Sequence, residues 1–192
     1  IDDFRNDLMD SIKELSDLIG KDILYYRAPG FSIKKDQLWA FEVLKECGIR
    51  IDCSIFPAIR AHGGFKEFKY SKPAKLKLND SYIKVFPMNL EKAFGLKYVF
   101  SGGGYFRFFP YPILRHLANN SEYMMTYFHP RDFDNTQPRL KNLSPMKYFK
   151  SYVGLKSSSA KLNKFIKDFE FITLLEAEKN INWENAKIID IK

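Results

Sequence analysis

The chain has 192 residues, is 45% hydrophobic and 16% aromatic, and carries a formal net charge of +8. That composition excludes a disordered chain, no apolar run approaches the ~20 residues of a membrane span, and no charged start leads into an apolar signal segment. The length predicts one domain, residues 1–192, and a cytoplasmic location is the expectation, with any targeting signal lying upstream of Ile1.

A basic surface, with pI near 9.3, favours acidic partners: nucleic acid, anionic polysaccharide or a membrane face. Lysines are spread along the chain and are densest from Lys66 to Lys84. Cys47 and Cys53 match no metal or redox spacing and read as small buried hydrophobes in a reducing compartment.

In chain order, Phe4, Leu8, Ile12, Leu15 and Ile19 share one helical face, with Gly20 as a stop. Ile23–Tyr26 reads as a strand. Asp36 is placed to cap a second helix through Leu38, Trp39, Val43 and Leu44, ended by Gly48. A short strand, Ile49–Ile51, ends at Asp52. This helix–strand alternation predicts an α/β sheet or barrel. Phe56 to Asn79 is turn-rich and reads as a surface excursion. Tyr82–Phe86 alternates as a strand, Ser101–Tyr105 as a glycine-rich turn, and Tyr111–Leu117 as a short helix. Tyr123–Phe128 reads as a strand ending at His129. Two helices, Pro145–Tyr152 and Ser159–Phe169, and a last strand, Phe171–Leu174, complete the chain.

Three polar clusters each follow an apolar strand: Arg27-Ala28-Pro29, Asp52-Cys53-Ser54, and His129-Pro130-Arg131-Asp132. Strand ends of a parallel sheet or barrel share one rim, which would unite an arginine, an acid and a histidine as an acid–base set. Each residue also has a structural reading. Arg27 suits a loop ion pair as well as an anionic ligand, Asp52 suits a turn cap, and His129 suits a structural role or a proton donor near neutral pH. His62 and His116 read as surface residues. The triple glycine lacks the Gly-Lys-Ser/Thr ending of a phosphate loop and reads as close backbone approach or a tight turn beside Tyr105 and Phe106. No nucleic-acid-binding motif is visible, so the charge alone supports that class.

Taken together, Tyr26-Arg27-Ala28-Pro29-Gly30-Phe31-Ser32-Ile33, Ile51-Asp52-Cys53-Ser54-Ile55-Phe56-Pro57, Gly102-Gly103-Gly104-Tyr105-Phe106-Arg107 and Tyr127-Phe128-His129-Pro130-Arg131-Asp132 resemble the polysaccharide deacetylase family of carbohydrate esterases. The nearer likeness is to the branch found with bacterial exopolysaccharides and surface glycans, and Gln137-Pro138-Arg139 fits too. The resemblance implies a distorted (β/α) barrel and hydrolysis of N-acetyl groups from amino sugars of a polysaccharide or lipid-linked glycan. It implies a divalent metal, usually zinc. Arg27 matches the arginine that orients the catalytic aspartate, and His129 matches the general acid. Gly30 falls where a backbone N–H helps hold the oxyanion. Pro29, Phe31, Asp52, Tyr105 and Asp132 are the accompanying candidates for substrate binding. The family's metal motifs, an Asp-bearing strand and His-x-x-x-His, lie upstream of the arginine and are not in this sequence. The metal is therefore expected on residues outside this chain, as part of a longer protein whose first barrel strands are missing here. The alternatives are a catalytically inactive glycan-binding relative and, more remotely, a basic nucleic-acid-binding module.

Overall fold

A computed structural model describes residues 1–59, 63–93 and 95–191. His62 lies outside them. The described chain forms two compact units: residues 1–88 with 181–192, and residues 89–180.

In the first unit, helix α1 (Asp2–Ile19) buries Leu8 and packs Phe4 and Ile12 on the core. Leu15 and Ile19, on the same predicted face, are about half exposed. Gly20 ends the helix in the left-handed conformation, its N–H on the Ser16 carbonyl. Strand β1 (Tyr25–Tyr26) follows, and then α2 (Trp39–Glu46), which buries Ala40, Phe41, Val43 and Leu44. Asp36 does not cap α2. It sits inside a separate 3-10 turn, Lys35–Gln37, and α2 starts after Leu38 without a side-chain cap. Strand β2 is Ile51–Asp52, one residue beyond the predicted run, because Asp52 pairs in register with Tyr26.

The stretch read as a surface excursion contains β3 (Ala74–Lys77), antiparallel to β4 (Tyr82–Val85). Ala74 and Leu76 turn into the core while Lys75 and Lys77 stay on the other face, so the period-2 pattern was present under the lysines. The last strand of this unit, designated β7 (Ile188–Ile189), pairs parallel to β3. The five-stranded order is β1-β2-β4-β3-β7, parallel except at β3–β4. The architecture is thus mixed α/β with a mostly parallel sheet, and the described strands do not close into a barrel.

The second unit opens with a hairpin absent from the sequence reading, β5 (Glu91–Ala93) and β6 (Leu96–Tyr98). Helices α3 (Gly103–Phe108), α4 (Tyr111–Asn119), α5 (Pro145–Tyr152), α6 (Leu155–Asp168) and α7 (Leu174–Asn180) follow. Its core gathers Phe100, Phe106, Leu114 and Phe165. Three readings need correction here. The glycine run opens α3 rather than forming a turn. Tyr123–Phe128 is no strand, its sheet contact being one parallel bridge between Tyr127 and Gly102. Phe171–Leu174 is not a strand either, and α7 begins at Leu174. Among the described residues no helix is long and apolar enough to cross a membrane.

Candidate functional site

In the first unit the chemistry-bearing residues sit at the carboxyl ends of adjacent parallel strands β1 and β2, where open α/β sheets place ligands. The Tyr26–Asp52 register brings Arg27 beside Cys53. The Cys53 N–H donates to the Tyr26 carbonyl at 2.8 Å, and Arg27 Nε donates to the Cys53 carbonyl at 3.2 Å. The guanidinium carbon lies 5.6 Å from the Phe31 ring centre. Arg27 is exposed, and among the described residues no carboxylate lies within ion-pair distance. It is therefore fixed by the chain beneath it while its outer nitrogens remain available.

Asp52 is fully buried. Its Oδ1 accepts the Ser54 N–H at 2.8 Å and its Oδ2 accepts the Ser54 hydroxyl at 2.5 Å. Ser54 Oγ in turn accepts the Ala28 N–H at 2.8 Å, linking the two strand ends through one hydroxyl. Burial raises the Asp52 pKa to about 7, against the lowering effects of Ser54 and the Arg27 charge. Burial first, and the Asp52 charge second, push the neighbouring Cys53 thiol up to about 12, so it stays protonated and unreactive. Asp52, predicted as a substrate contact, lies beneath the surface and faces Ser54.

The turn Pro29-Gly30-Phe31 carries a strained backbone. Gly30 has φ 64°, and buried Phe31 has φ 56°, a left-handed conformation uncommon for a non-glycine residue. Such residues cost on the order of 1–3 kcal/mol and persist only where the surroundings hold them. The surroundings do so here. Phe31's carbonyl accepts the Gly64 N–H at 2.9 Å, its ring packs edge-on to Phe56 at 5.2 Å, and a Cβ on Gly63 would sit 2.4 Å from the same carbonyl. Pro29 and Gly30 are exposed. An open cavity of about 600 Å³ shares Gly63 and Gly64 with this clamp and is lined by Lys34, Lys35 and Lys66 with Asp36 and Glu67. Neither Arg27 nor Asp52 lines it.

The second unit holds the remaining candidates. His129 is exposed at the head of a 3-10 turn, Pro130–Asp132. Asp132 is buried, closes the turn by accepting the His129 N–H at 3.0 Å, and pairs with Arg107 Nε at 3.2 Å. The Nε–H is not aimed at the carboxylate, so this contact is an ion pair rather than a hydrogen bond. Asp132 therefore positions the backbone of His129 from below. Tyr105 is 45% exposed and meets Tyr98 edge-on at 5.2 Å and Phe109 stacked at 6.1 Å. The glycines before it allow close approach to Tyr127. A Cβ on Gly102 would meet the Tyr127 carbonyl at 1.9 Å, and Gly103, at φ 55°, would meet its hydroxyl at 2.8 Å.

Arg107 supports this site from beneath, and the sequence pattern does not mark it. Its guanidinium is 6% exposed and donates to the carbonyls of Ser151, Val153 and Lys150 at 2.8, 3.2 and 3.0 Å. A buried arginine on a short aromatic helix leaves no periodic signal.

No three His, Cys, Asp or Glu side chains among the described residues come together as metal ligands. Residues 53–178 match the family model of a domain of unknown function (DUF3473). The chain belongs to the DUF3473 family. The DUF3473 match spans Ser54, Tyr105, Arg107, His129 and Asp132, while Arg27, Gly30 and Asp52 precede it. No curated protein and no solved structure matches the chain significantly.

Proposed function

We propose that this chain is part of a polysaccharide-deacetylase-type hydrolase that removes N-acetyl groups from amino sugars of a surface polysaccharide or its lipid-linked precursor. The observation that carries the reading is the Arg27 turn. An exposed guanidinium is held at the carboxyl end of a parallel strand, beside a strained Gly30–Phe31 backbone. The DUF3473 family is associated with polysaccharide deacetylase-like proteins, and the mostly parallel β1-β2-β4 sheet suits part of a distorted (β/α) barrel.

In this reading Arg27 orients a catalytic carboxylate through its two outer nitrogens, which suit a bidentate pair. The Gly30 N–H faces the developing oxyanion, and His129 gives a proton to the departing amine. The divalent ion would polarise the amide and its water, on ligands outside these 192 residues. The acid role is worth ~10²–10⁴-fold in rate. The test is acetate release from N-acetylhexosamine oligomers by the full-length protein, with and without chelator. His129→Ala is expected to lower the rate ~10²–10⁴-fold. Undiminished release by that variant, or no release by the wild type, overturns the assignment. The exposed Tyr105 edge favours a second reading, a glycan-binding relative without turnover. That reading requires oligomer binding without hydrolysis, weakened about tenfold by Tyr105→Ala.

A further inference from the structure

The +8 charge is localised. Between Asn135 and Lys167 the chain has eight basic residues and no acidic one, so the other 159 residues carry 23 basic and 23 acidic side chains. Among the described residues, none of these eight cations pairs with a carboxylate. Lys161 is half-buried on the carbonyls of Phe106, Arg107 and Phe109, and the other seven keep their charge without a carboxylate partner.

Helix α5 lies within this stretch and presents apolar surface beside it. Met146 and Phe149, three residues apart on one side of the helix, are 62% and 49% exposed. Phe108, 51% exposed, extends the patch by meeting Phe149 edge-on at 5.9 Å. Exposed Lys147 and Lys150 lie along one edge of it on the same helix. The patch is preformed, because Arg107 ties the Lys150 and Ser151 carbonyls down and buried Tyr152 donates to the Pro138 carbonyl.

We propose that the α5 face, with Met146, Phe149 and Phe108 beside Lys147 and Lys150, docks the protein on an anionic lipid bilayer surface. Charge selects an anionic partner, and the apolar side chains select the lipid. A soluble polyanion would leave a thioether and two phenyl rings in water, whereas the boundary of headgroups and acyl chains takes them in. Each lysine near such a surface strengthens binding about fivefold.

The experiment is co-sedimentation with vesicles of phosphatidylcholine alone or mixed with phosphatidylglycerol. The wild type is expected to sediment with the mixed vesicles, less so at high salt, and not with the neutral ones. Lys147→Ala with Lys150→Ala is expected to weaken binding about 25-fold. Met146→Ser with Phe149→Ser is expected to weaken it at least about tenfold, with an unchanged circular dichroism spectrum and urea midpoint. Lys66→Ala with Lys69→Ala, in the first unit, should change it less than about twofold. Failure to bind the mixed vesicles overturns the proposal. So does binding that is equally tight to heparin and indifferent to loss of Met146 and Phe149, which would mark a polyanion site. Vesicle binding requires no turnover, so its outcome is independent of the deacetylase reading.

Discussion

Two buried aspartates, one in each unit, solve the same problem in different ways. Asp52 is held by a neutral hydroxyl and a backbone N–H, both from Ser54. Asp132 is held by a backbone N–H and a buried guanidinium. The first arrangement leaves a carboxyl that titrates near neutrality, with a pKa of about 7. The second supplies a full countercharge and uses the same arginine to pin three carbonyls of α5 and its exit. The difference teaches that burial alone does not define a role. Asp52 couples two strand ends and stays protonatable, whereas Asp132 sits at the end of a rigid electrostatic strut.

The largest effect that would break this comparison is loss of the strut. Arg107→Ala leaves Asp132 buried without a countercharge and is expected to cost about 3–5 kcal/mol in urea denaturation. A cost near zero would mean the ion pair contributes nothing. Next comes Ser54→Ala, which orphans both Asp52 Oδ2 and the Ala28 N–H. The expected loss is about 1–3 kcal/mol, with the Asp52 pKa moving further up.

The third test uses pH. The folded pKa of Asp52, about 7, lies above an ordinary unfolded value of about 3.9. Between these values the folded state keeps a proton that the unfolded chain has lost. The stability linked to Asp52 is therefore full below pH ~4 and is lost as pH rises to ~7, by about 1 kcal/mol per pH unit. Urea midpoints from pH 4 to 7.5 should show this slope in the wild type and not in Asp52→Asn; equal slopes would dispose of it. The smallest expected effect is on the exposed partner. Arg27→Ala should change stability by no more than about 0.5 kcal/mol, while, on the proposed deacetylase reading, acetate release by the full-length protein falls as the catalytic carboxylate loses its orientation. A large stability loss would make Arg27 structural.

The elements of the first half were legible where apolar spacing and glycine punctuation agree, as in α1 with Gly20 and in β1 and β2. They were hidden where charge overlies pattern: Lys75 and Lys77 mask β3, and the two-strand hairpin at Glu91–Tyr98 lacks an apolar run. The strand expected at Tyr123–Phe128 failed for a packing reason. Tyr127 lies over Gly102 and Gly103, and Phe128 faces Phe106 and Phe133, so aromatic packing rather than a ladder orders the segment. Of the candidate site, Asp52 and Asp132 were visible as polar residues after apolar runs. Their partners, Ser54 and Arg107, were not assigned roles, because a hydrogen bond to a neighbour two residues away and an ion pair across 25 residues leave no periodic trace.

The strand pairing also dictates an order of assembly. β7 reaches β3 across 113 residues, as the Lys77–Asp190 ion pair records, so the first unit is interrupted by the second. During synthesis residues 89–180 are complete before Ile188 and Ile189 have emerged. The inserted unit is free to fold first, while the host sheet waits with one edge of β3 bare. Such long-range closure is slow and aggregation-exposed. Removing residues 186–192 should therefore hit solubility and refolding yield harder than the loss of two short strand residues suggests.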